Sequence, residues 1–83
     1  MEGNGESLAG KVRNYIDDHW QRQCMAPTLR EISEGTGIPS LSHIHYLITG
    51  LEKSGLLVPR ISGRSRNVVP NWVVVAIREG RQE

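Results

Sequence analysis

Between residues 27 and 55, two short segments each have a helix start signal and a helix stop signal. Only a few residues separate the two segments, so the sequence predicts two helices joined by a tight turn. Pro27 disfavours helix at the residue before it. Thr28-Leu29-Arg30-Glu31 fits a capping box, in which the Thr28 side chain and the Glu31 carboxylate each accept a backbone N–H of the other residue. Gly37 can take the left-handed conformation that ends a helix, so the first of the two spans 29–36.

The second helix of the pair follows after three residues. Ser40 is a cap candidate, and Ser54-Gly55 closes the segment. Between them apolar side chains repeat at helical spacing: Leu41, Ile44, Leu47, Ile48 and Leu51. This pattern predicts a helix over 41–53, joined to the preceding one by the glycine turn.

A further amphipathic helix precedes this pair. Ser7 is a plausible N-cap, and the residues after it place one apolar face on a helical wheel: Leu8, Val12, Tyr15, Ile16, His19 and Trp20. We therefore predict a helix over 8–23. Residues 1–6 carry no anchoring apolar side chain, which predicts a flexible N-terminus.

After residue 55 the pattern changes from helical to extended. Leu56-Leu57-Val58 and Asn67-Val68-Val69 flank Ser62-Gly63-Arg64-Ser65, which has the composition of a hairpin turn. Three helices followed by a hairpin with arginines at its tip have the order of a winged helix-turn-helix. The predicted fold class is mainly α with a small β-hairpin, and the domain spans 7–70.

The C-terminal segment, 71–83, has two interpretations. Asn71 can cap a helix, but the valines after it favour an extra strand, which is our prediction. The segment also holds the chain's spare apolar side chains. We therefore predict that the segment either packs onto the domain or forms a homodimer contact. The residues predicted for the homodimer contact are Trp72, Val73, Val75 and Ile77.

Length and composition exclude several classes of protein. The chain has 83 residues, enough for one small domain. Its longest apolar run is six residues, against about 20 for a membrane span, and its start lacks the features of a signal peptide. Cys24 is the single cysteine, which excludes an internal disulfide and predicts a cytoplasmic protein.

The net charge of +1 hides an uneven distribution. Residues 1–52 contain four basic and seven acidic side chains, a net charge of −3, whereas residues 53–83 contain six basic and two acidic ones, a net charge of +4. A nearly neutral protein with a basic end can still present a positive face to a polyanion.

Several segments resemble the amino-terminal DNA-binding domain of the LexA repressor. They are Tyr15 to His19, Met25 to Ile32, the turn and helix from Gly37 to Gly55, and the Ser62-Gly63 and Ser65-Arg66 pairs at the wing. The resemblance covers roughly 7–70 and implies a DNA-binding repressor. LexA continues into a self-cleaving protease domain, whereas this sequence ends at Glu83, so autoproteolysis is not carried over.

The helix over 41–53 is the predicted reader of double-stranded DNA. In a helix-turn-helix the amino-terminal half of the second helix enters the major groove. The polar side chains opposite or flanking its apolar stripe there are the predicted base readers: Ser42, His43, His45 and Tyr46. Predicted contacts to the DNA backbone are Thr28, Arg30, Ser40, Lys53, Arg60, Arg64 and Arg66, with the wing at 62–66 on the backbone or in the minor groove.

Other chemistry finds little support in the sequence. His43 and His45 point about 200° apart on a helix and cannot share a tetrahedral metal ion. No nucleophile–base arrangement or phosphate-binding glycine loop is visible, so we predict no enzyme, no metal and no cofactor. The alternative to DNA binding is a winged-helix protein–protein interaction module, which the acidic first half favours.

Overall fold

The computed structural model describes residues 7–60 and 67–80. Their elements are α1 (Leu8–Gln23), α2 (Leu29–Thr36), α3 (Leu41–Lys53), β1 (Leu57–Val58), β2 (Val69–Pro70) and α4 (Asn71–Gly80). The predicted fold class, mainly helical with a small hairpin in a winged helix-turn-helix order, is confirmed, with a fourth helix added.

Side-chain caps begin the first three helices at the predicted residues. Ser7 Oγ accepts the Gly10 amide at 3.0 Å, and Ser40 Oγ accepts the His43 amide at 3.1 Å. Thr28 begins α2 with a complete capping box. The predicted bounds of α1, α2 and α3 are confirmed. They were predictable because each cap involves residues close together in the sequence.

One apolar core joins α1, α2, α3 and the hairpin. Its members are Val12, Ile16, Ile32, Ile38, Ile44, Ile48, Leu51, Leu57 and Val68. The two isoleucines of α3, Ile44 and Ile48, are fully buried. Close packing on this side fixes the orientation of α3 and leaves its opposite side to solvent.

The hairpin strands pair antiparallel at the base of the wing. Leu57 pairs with Pro70, and Val58 pairs with Val69. The indole Nε1 of Trp20 donates to the Val68 carbonyl at 2.8 Å, which attaches the returning chain to α1. The predicted wing tip at 62–66, with Arg64 and Arg66, lies outside the described residues, as do residues 1–6 and 81–83.

The strand predicted after Pro70 is wrong, because Asn71–Gly80 forms α4. Asn71 is its first residue and holds the turn before β1, with its amide donating to the Leu56 carbonyl at 3.0 Å and its side chain to the Gly55 carbonyl at 3.2 Å. Val73 is only 5% exposed, and Trp72 Nε1 donates to Asp17 Oδ1 of α1 at 2.8 Å. These tertiary contacts outweigh the strand preference of the valines.

Candidate nucleic-acid interface

The structure brings the four predicted base readers together on the outer side of α3. Ser42, His43, His45 and Tyr46 are all exposed, and 72% of the Tyr46 surface is accessible. They occupy the first half of the helix, directly after its Ser40 cap. The result is an exposed polar surface of hydrogen-bonding groups on a helix whose other side is anchored in the core.

Three predicted backbone contacts lie at the amino-terminal ends of the two helices. Ser40 and Thr28 are the N-caps of α3 and α2, and Arg30 is exposed in the first turn of α2. Thr28 Oγ1 accepts the Glu31 amide at 3.0 Å while Glu31 Oε1 accepts the Thr28 amide at 2.9 Å. Helix amino-termini carry partial positive charge, which suits them to phosphate.

Two further predicted backbone contacts, Lys53 and Arg60, lie within the described residues and differ sharply in exposure. Lys53 is exposed at the end of α3. Arg60, in contrast, has a side chain only 13% exposed, and its Nε donates to Glu52 Oε2 at 2.6 Å. Its Nη2 also donates to Thr49 Oγ1 at 3.1 Å, and its Nη1 lies 3.2 Å from His45 Nδ1. The predicted backbone contact of Arg60 stays a prediction, and the guanidinium lies against α3.

Sequence reasoning missed this set of contacts around Arg60. Glu52 is the only charged residue of α3 before Lys53, and an isolated carboxylate on such a helix requires a cationic partner when it is half-buried. Eight residues separate Glu52 from Arg60, with the turn at Gly55 between them. The isolated charge of Glu52 indicated that a cationic partner was needed. It did not indicate which one, because helix-spacing rules do not relate residues on opposite sides of a turn.

His19 joins α1 to the start of α2, outside the α3 surface. Its ring is 12% exposed, and Nδ1 lies 2.9 Å from the Met25 carbonyl oxygen. Nε2 lies 3.7 Å from Glu31 Oε1, within the capping box of α2. This histidine connects two helices and takes no part in the outer side of α3.

Residues 7–60 and 67–80 offer neither a cluster of metal ligands nor a helix suited to a bilayer. Within these ranges no three His, Cys, Asp or Glu side chains are grouped so that they can hold a metal ion. In the same part of the chain, each helix is too short or too polar to cross a membrane.

Comparison with protein families identifies this architecture. The family model described as the LexA DNA binding domain matches residues 10–67. The chain belongs to the LexA DNA-binding domain family. The resemblance found in the sequence is therefore confirmed, and this LexA-type domain binds DNA.

The matched range of the LexA-type domain includes all of α2, α3 and β1, and α4 lies beyond it. The predicted base readers therefore fall within the family's DNA-binding unit, whereas the predicted dimer residues of α4 do not. Families of this kind are typically non-enzymatic. A search of curated proteins found none that matches the chain.

Proposed function

We propose that this chain is a sequence-specific double-stranded DNA-binding protein that acts as a small transcriptional repressor. In this proposal α3 lies in the major groove, and the wing at 62–66 lies on the DNA backbone or in the minor groove. The protein acts in the cytoplasm, at the nucleoid if its source is prokaryotic.

The observation that carries the proposal is the exposed polar row of α3: Ser42, His43, His45 and Tyr46. Serine and histidine groups can donate to or accept from base edges, and a tyrosine ring can contact a thymine methyl group. The buried isoleucines on the other side of α3 support the proposal, since a reading helix must be held rigidly by its domain.

Backbone contacts complete the proposed interface. Ser40 and Thr28 offer helix amino-termini to phosphates, while Arg30 and Lys53 offer exposed charges. Arg64 and Arg66 add the charge of the wing. Because such contacts are indifferent to base identity, they contribute affinity and salt dependence, and the row on α3 contributes specificity.

The test is selection from a random duplex DNA library at about 150 mM salt, a concentration at which purely electrostatic binding is weakened. We expect an enriched motif for the wild-type chain. Tyr46→Ala should relax the preference at one or two positions of that motif, at a cost of about 1–3 kcal/mol for the cognate base. Tyr46 is 72% exposed, so the substitution leaves the core intact.

The backbone contacts are tested separately by charge removal. Arg64→Ala with Arg66→Ala should weaken binding to all sequences alike and reduce the slope of log affinity against log salt by about one for each phosphate that an arginine had neutralised. Lys11→Ala removes an exposed charge from α1 and is the matched control, for which we expect little change in the slope. A loss restricted to one DNA sequence would contradict the backbone assignment of the two arginines.

The second candidate function is a winged-helix module that binds another protein. Its supporting observation is the net charge of −3 over residues 1–52, which opposes association with DNA. If the library yields no enriched motif and binding disappears as salt rises, this second candidate takes first place.

Useful specificity favours two copies on a two-part DNA site, because one helix reads only a few base pairs. The predicted dimer residues are not equally available for such a contact. Val73 is buried in its own domain at 5% exposure, whereas Trp72, Val75 and Ile77 are 39%, 45% and 61% exposed. Any contact between copies through α4 therefore uses these three and not Val73.

A further inference from the structure

All three nitrogens of the Arg60 guanidinium contact side chains of α3. Nε donates to Glu52 Oε2 at 2.6 Å, Nη2 donates to Thr49 Oγ1 at 3.1 Å, and Nη1 lies 3.2 Å from His45 Nδ1. The Arg60 amide also donates to Glu52 Oε2, at 3.0 Å. With side-chain exposures of 13% and 15%, Arg60 and Glu52 form a partly buried pair that fixes the guanidinium in place.

The chemistry of these groups determines the direction of each hydrogen bond. A guanidinium has five N–H donors and no acceptor, so His45 Nδ1 must be the acceptor of the Nη1 contact. A neutral imidazole that accepts at Nδ1 carries its proton on Nε2. Arg60 therefore holds His45 in the Nε2–H form, and the ring nitrogen remote from Arg60 is a donor.

Thr49 is consistent with the same arrangement. Its hydroxyl donates to the His45 carbonyl at 3.0 Å, which leaves the oxygen free to accept from Arg60. Each nitrogen of the guanidinium thus donates to at least one acceptor on α3. Since the Glu52 carboxylate offsets the guanidinium charge, Arg60 can remain beside His45 without leaving a half-buried charge unpaired.

We propose that Arg60 is a positioning residue that makes His45 a hydrogen-bond donor toward DNA, so that the base opposite His45 is one with an acceptor in the major groove. Guanine offers two adjacent acceptors there, N7 and O6, whereas cytosine offers only the N4 amino donors. Adenine N7 and thymine O4 offer one acceptor each, so His45 rejects cytosine, and guanine with its two acceptors is the favoured base. This inference rests on the proposed function, and it specifies what one of the readers on α3 recognises.

Removal of the Arg60 contact should leave the ring proton of neutral His45 free to occupy either nitrogen. Without a donor at Nδ1, the ring can adopt either neutral form and can accept from cytosine as readily as it donates to guanine. Arg60→Lys is the informative substitution, because it keeps the positive charge but cannot span three partners with one ammonium group. A charge effect on overall DNA affinity is thereby separated from an effect on base choice.

The first arm of the test is independent of DNA. Long-range ¹H–¹⁵N NMR of the free 83-residue chain at about pH 8, well above the ordinary pKa of histidine, reports which ring nitrogen of His45 carries the proton. We expect the Nε2–H form in the wild type and a mixture of both forms in Arg60→Lys. His43 lacks a described contact with Arg60 and is the internal control, whose spectrum should be unchanged. A wild-type His45 protonated at Nδ1 overturns the inference.

The second arm is selection from random duplex DNA with the wild type, Arg60→Lys and His45→Ala. The position at which His45→Ala loses its preference identifies the base opposite His45. There we expect the wild type to favour guanine over cytosine by about tenfold or more, and Arg60→Lys to reduce that ratio to about threefold or less. Preferences elsewhere and the salt slope should be unchanged for Arg60→Lys.

Each remaining result has a defined meaning. Cytosine at the identified position, an unaltered ratio in Arg60→Lys, or no effect of His45→Ala overturns the inference while the proposed function stands. If no motif is enriched at all, base selection by His45 fails together with the proposed function. An Nε2–H signal in that case assigns the failure to DNA reading and not to the Arg60 contact.

Discussion

Gly35 in α2 lies against the ring of Tyr15 in α1, and a side chain there has no room. A Cβ built at Gly35 overlaps three ring atoms of Tyr15, whereas one built at Gly50 of α3 meets nothing within 4 Å. Burial of the Tyr15 ring, with the nearby Glu31 carboxylate as a lesser cause, raises the pKa of its hydroxyl above the ordinary 10.0. This close approach therefore determines how α1 and α2 pack.

We expect opposite results from alanine at these two helical glycines. Gly50→Ala should raise the free energy of unfolding by about 0.5–1 kcal/mol, the usual gain in helix propensity. Gly35→Ala should lower it by about 1–2 kcal/mol, because the Tyr15 ring must move, and the pKa of Tyr15 should fall toward 10. Urea denaturation and absorbance titration measure the two quantities. Equal stabilisation by both substitutions would show that the ring moves without cost.

Cys24 has a backbone conformation that ordinary residues avoid. It ends α1 with φ of 57°, the only positive φ outside glycine among the described residues, and its amide donates to the Trp20 carbonyl at 3.0 Å. An L side chain in this region is strained, and glycine is the residue that usually occupies such a helix end.

Cys24→Gly should therefore stabilise the domain, by about 0.5 kcal/mol after allowance for the added freedom of glycine in the unfolded chain. The thiol is exposed, so its removal takes nothing from the core. Cys24→Ala keeps the Cβ and is the matched control, for which we expect no such gain. Urea denaturation under reducing conditions measures both, and a gain with alanine equal to that with glycine would refute strain as the cause.

At the scale of elements, the capping box of α2 has a clear energetic signature. Thr28→Ala removes the acceptor for the Glu31 amide and should cost about 1 kcal/mol of stability. Thr28→Ser keeps the hydroxyl and should cost much less. Thermal or urea unfolding of both variants decides the matter: if serine is as damaging as alanine, the threonine methyl group and not the cap is responsible.

The elements also show which parts of the fold can be predicted from sequence. α1, α2 and α3 were predictable because each begins at a cap that involves residues three positions apart. α4 was not, because its valines have strand preference and its helix depends on distant partners such as Leu56 and Asp17. The contacts of Arg60 escaped prediction for the same reason, although the exposed row on α3 was identified from helical periodicity alone.

At the scale of the whole molecule, the apolar surface of α4 is too small for a stable dimer. Trp72, Val75 and Ile77 expose 39%, 45% and 61% of their surfaces, together on the order of a few hundred Å². A stable association buries about 800 Å² on each partner. We therefore expect a monomer in free solution, with contact between copies only where DNA holds two of them side by side.

Ile77→Ser is the sharpest test of that arrangement, because Ile77 is the most exposed of the three. Sedimentation velocity should show a monomer for the wild type and the variant alike. On DNA with two half-sites, the variant should lose cooperativity by about tenfold, the equivalent of one small apolar contact, while affinity for a single half-site is unchanged. Leu8→Ser, which removes a 42% exposed leucine from α1, is the control and should alter neither quantity. If cooperativity is unchanged in Ile77→Ser, pairing on DNA does not use this contact of α4. The contact would then have to lie elsewhere, for example within the range matched by the family model, which α4 lies beyond.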